Sequence, residues 1–97
     1  MKRKNSQTIR DVLKGFFEEN AELYEKMLEI RVQRGWGEIL GPLILQYTRN
    51  IYIKNHVLYV SLTSSVLRSE LILSREKLIR SLNEYAGSEV IHDIVIR

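Results

Sequence analysis

Between Asn50 and Thr63 the chain reads NIYIKNHVLYVSLT, an alternation of apolar and polar side chains, while the residues before and after it repeat at helical spacing. A chain of 97 residues has room for one core. A two-stranded ribbon with one aliphatic face must therefore lay that face on the flanking helices, which points to an α+β fold. Ile51 and Ile53 before the turn, and Leu58, Val60 and Leu62 after it, form the inward face. Tyr52 and Tyr59 fall on the other face, expected to be half-exposed. The turn is KNH, with Asn55 the residue best suited to positive φ.

Upstream, Ile9, Leu13, Phe16 and Phe17 set one face of a first helix that starts near Gln7 or Thr8. Asn20 is placed to cap the next helix. That second pattern runs from Ala21 to Tyr47, with Leu23, Met27 and Ile30, then Ile39, Leu40, Leu43, Ile44 and Tyr47 as its apolar positions. Gly35, Gly37 and Gly41-Pro42 interrupt it. An interior Gly costs a helix about 1 kcal/mol against Ala and an interior Pro about 3. The expectation is one long helix, bent or disturbed at these positions and rewarded by packing. Downstream, a third helix is capped by Ser64 or Ser65 and stopped at Gly87, with Leu67, Leu71, Leu78, Leu82 and Tyr85 on one face. EVIHDIVIR then reads as a last strand, free to join either edge of the hairpin. The order is α-α-β-β-α-β, with a three-stranded sheet and helices packed on one face. Residues 1–7 read as a flexible basic arm and residues 8–97 as a single domain.

There is no cysteine, hence no disulfide framework or thiolate metal site. The basic start is not followed by an apolar signal core, and no apolar run approaches the roughly 20 residues of a bilayer span. The expected location is cytoplasmic. His56 and His92 sit in no ligand-spaced cluster, and HExxH, GxSxG and phosphate-loop patterns are missing. The reading is a binding protein without catalytic residues, metal or cofactor. Net charge is only +3, but it is unevenly spread. Glu18 to Glu29 holds five acids and one base, and Arg49 to Arg80 holds six bases and two acids. Arg49, Tyr52, Lys54, His56 and Tyr59, with Arg68 and Arg75 from the third helix, mix rings that stack on nucleobases with cations that attract phosphates. The plainer alternative is a solvated sheet face on a protein-interaction module, homo-oligomeric or with another partner. Trp36, set between Gly35 and Gly37, is either core or a half-exposed anchor for a protein partner.

Trp36 followed by Gly41 and Thr48, the hairpin HVLYVSL, the helix start TSSVLRSEL and the closing IHDIVIR together resemble the DciA family of bacterial proteins. The resemblance runs from about Ile9 to Arg97 and rests on order and spacing. It implies a KH-like domain that binds DNA, single- or double-stranded, and helps load or operate the replicative helicase DnaB. The chain lacks GxxG, so the RNA clamp of true KH domains is not implied. His56 stands where relatives usually have a turn glycine, and Arg49-Asn50 where a proline often follows the threonine. Many relatives extend beyond the globular domain toward helicase. Here the expected contact is the domain itself or the basic N-terminal arm.

Overall fold

The computed structural model describes residues 8–97, so the basic arm expected over residues 1–7 lies outside the described residues. Thr8 starts helix α1 (Ile9–Glu19), its hydroxyl accepting from the Asp11 backbone N–H. Asn20 separates α1 from α2 (Ala21–Leu40). Its side chain makes no cap bond there; its amide donates back to the Phe16 carbonyl at 2.7 Å.

The long second helix is not continuous. It ends at Leu40, because Gly41 takes φ 96°, and Pro42 opens a one-turn helix α3 (Leu43–Gln46). Positive φ at that value is available to Gly at little cost and breaks the helical ladder outright, where a proline kink would only bend it. The buried stripe of α2 also differs from the expected Leu23, Met27 and Ile30. Leu28, Val32, Gly35 and Trp36 are buried, while Leu23 and Ile30 stay exposed. Gly35 is the reason: a Cβ there would lie 2.9 Å from the Tyr85 ring and 3.2 Å from Leu82, so only Gly admits the last helix this closely.

Strands β1 (Thr48–Lys54) and β2 (Val57–Leu62) form the hairpin. Asn55 and His56 both take positive φ, 53° and 65°, which makes a tight two-residue turn of the hairpin-favoured kind. The expected third helix is likewise two. α4 (Ser65–Leu73), capped by the Ser64 hydroxyl, stops at Ser74, and α5 (Arg75–Ala86) follows it. Gly87 closes α5 in the left-handed conformation at φ 88°. The last strand β3 is shorter than expected, Asp93–Ile96. The Asn83 side chain holds residues 90 and 91 out of it, accepting from the Val90 and Ile91 N–H groups and donating to the Ile91 carbonyl.

The sheet order is β1-β2-β3, antiparallel across the hairpin and parallel between β2 and β3. Leu58, Val60, Leu62, Ile94 and Ile96 face one core with Leu28, Val32, Trp36, Leu78 and Leu82. The architecture is α+β, a mixed three-stranded sheet with helices packed against it, consistent with a KH-like fold.

Candidate nucleic-acid interface

The period of two leaves one sheet face turned away from the buried cluster. Tyr52 is the register partner of Tyr59, and their rings stack at 4.9 Å with planes 11° apart. Tyr59 pairs in turn with Val95 of β3, so Arg97, two residues on, continues the same face. Its guanidinium donates to the Tyr52 hydroxyl at 2.8 Å and lies 5.3 Å from the Tyr59 ring centroid. Lys54, exposed, stands two residues from Tyr52 on the same face. Two rings and two cations therefore share one patch.

The other expected residues disperse. Arg49 is exposed at a bulge between Thr48 and Asn50, on the edge strand. His56 serves the turn: its Nδ1 lies 3.1 Å from the Val90 carbonyl, its own carbonyl accepts from the His92 N–H, and the two imidazoles lie 5.4 Å apart. Arg68 is half-buried, donating to the Leu62 carbonyl at the end of β2. Arg75 leaves the start of α5 toward β3 and pairs with Asp93 at 3.7 Å. Trp36 is 0% exposed, and its indole N–H donates to the Thr48 hydroxyl at 3.0 Å, which donates on to the Ile44 carbonyl. A side chain closed in this way cannot anchor a partner, so the anchor reading of Trp36 is corrected to core. Beyond the break in the helix, Ile44 of α3 joins the buried cluster that holds Trp36, and Leu45 lies against Gly37.

Arg97 is the residue that sequence reasoning missed. The parity of Asp93 and Val95 pointed to it, but only the parallel register with β2 carries it to Tyr59.

A family model described as Dna[CI] antecedent, DciA, matches residues 8–96, from the cap of α1 to the end of β3. The chain belongs to the DciA family. No match was found among curated proteins or among solved structures. DciA membership implies a role of the DnaB helicase-loader type in DNA replication. The DciA family is not a known enzyme family. Among the described residues, no helix of this DciA protein is long and apolar enough to cross a membrane.

Proposed function

We propose that this DciA protein acts as a non-enzymatic, DNA-binding accessory of the replicative helicase, and that it holds single-stranded DNA on the open sheet face. The observation that carries the reading is the Tyr52–Tyr59 stack bridged by Arg97, with Lys54 beside it. Stacked rings offer a sequence-tolerant platform for bases, each base–aromatic stack contributing about 1–3 kcal/mol, and the two cations supply phosphate contacts. Duplex DNA keeps its bases paired and uses such a platform poorly. Arg49, at the bulged edge, extends the positive track. Arg68 and Arg75 are already engaged with a backbone carbonyl and with Asp93, and they contribute less.

Fluorescence anisotropy with labelled single-stranded and duplex oligonucleotides, at two salt concentrations, tests this. Single strands are expected to bind more tightly, with affinity falling as salt rises, because phosphate contacts release counterions. Tyr59→Ala with Lys54→Glu is expected to weaken binding at least tenfold while far-UV circular dichroism is unchanged. Equal binding by that variant and its parent sinks the sheet-face assignment.

A further inference from the structure

Helix α1 is amphipathic, yet none of its side chains is buried. Ile9 is 78% exposed and Phe16 47%, with Val12 and Leu13 also open. The helix leans on α2, where the Phe17 ring meets Tyr24 at 5.6 Å. Between the two helices runs an open groove of about 720 Å³. Its floor is apolar, with Ile9, Leu13, Phe17, Tyr24 and Met27. The described chain is correspondingly long, with extents of 55 × 28 × 21 Å and a radius of gyration of 16.3 Å, against about 13 Å for a compact chain of this size.

The charges along α1 say what fits. Arg10 and Lys14 lie toward its N-terminus, Glu18 and Glu19 at its C-terminal end. Most of that order opposes the helix dipole, which favours acids at the start and bases at the end. It becomes favourable beside a second helix of the same sequence running the other way. Each basic end then meets an acidic end, and the two dipoles also compensate. A parallel neighbour would set Arg10, Lys14 and Glu18 each against its own copy, whereas the antiparallel one leaves only Lys14 facing its own copy at the axis. A two-fold axis perpendicular to the helices gives this antiparallel pairing, and a two-fold contact closes at two copies. Residues 1–7, MKRKNSQ, bring three bases, no acid and one apolar side chain, so unlike a second α1 they offer no acidic end to the Arg10, Lys14 and Arg31 of the groove.

We infer that a second copy of this chain covers this face, the two α1 helices packing antiparallel about an axis near Leu13 and Lys14, each in the other's groove. The apolar floor, with Ile9 and Leu13, forms the centre of the interface, and Arg10 of one copy stands by Glu18 of the other. No residue of this surface belongs to the proposed DNA platform, so either reading can fail alone.

Sedimentation equilibrium on the full chain, from low micromolar to millimolar concentration, tests the inference. The parent is expected to show a reversible dimer, and Ile9→Asp with Leu13→Asp, two exposed residues that line the groove, to remain monomeric. Arg10→Glu and Glu18→Arg are each expected to raise the dimer Kd about tenfold, although each improves the helix's own dipole pairing. Combining the two restores opposite charges across the axis and is expected to recover the parent Kd. A parent that stays monomeric at millimolar concentration overturns the inference, as does a double swap no better than its single variants.

Discussion

Helices α1 and α5 are close in length, 11 and 12 residues, and both carry an apolar stripe, but they are placed very differently. α5 buries Leu78, Leu82 and Ala86, and α1 buries nothing. An apolar stripe gives a helix a side without giving it a seat. α5 finds its seat at Gly35, where the missing side chain of α2 admits Leu82 and Tyr85 at contact distance. α1 meets the other end of α2, where Leu23 and Tyr24 are themselves exposed among the described residues.

The contrast can be broken most forcefully at the centre of the seated half. Trp36→Ala removes the largest fully buried side chain and the donor to Thr48, and it is expected to cost about 3–5 kcal/mol in urea unfolding. That loss is a large fraction of the stability of a domain of this size, about 5–15 kcal/mol. A loss under about 1 kcal/mol would mean that the core does not close on the indole. Two glycines sharpen the comparison at smaller scale. Gly35→Ala gains about 1 kcal/mol of helix propensity but drives a methyl into Tyr85 and Leu82, an overpacking cost of about 1–3 kcal/mol. The expected net is a loss near 1 kcal/mol by the same measurement, and a more stable variant would show that α5 is loosely seated. At Gly15 an added Cβ meets nothing within 4 Å, so Gly15→Ala is expected to slow amide exchange within α1 about fivefold, its propensity gain of about 1 kcal/mol being unopposed. This local effect, with little change in the global midpoint, is the smallest of the three. Faster exchange would contradict the open position of α1.

Much of the local structure was legible because local physics decides it. Thr8, Ser64 and Gly87 mark helix ends through hydrogen bonds and φ values confined to a few residues. The inward Leu58, Val60 and Leu62 follow from the two-residue period, which leaves no choice of face once one side must be buried. The second helix was harder. Leu23, Met27 and Ile30 on one side and Leu28, Val32 and Trp36 on another both satisfy helical spacing, and choosing between them requires knowing where α5 lies. Of the expected nucleic-acid residues, Tyr52, Lys54 and Tyr59 share a face because they belong to one hairpin. His56, Arg68 and Arg75 were drawn away by a loop, a carbonyl and a carboxylate that sequence proximity does not reveal.

The sequence by itself determined the α+β alternation, the hairpin and its tight turn, the helix ends at Ser64 and Gly87 and the inward aliphatic face, since each depends on contacts within a few residues. Tertiary structure decided the break at Gly41, the seat of Trp36, the edge that β3 joins and hence the meeting of Arg97 with Tyr52 and Tyr59. Among the described residues it also left α1 uncovered. These outcomes turn on which surfaces come together across the chain, and shape fit between distant elements is what a pattern of hydrophobicity does not carry.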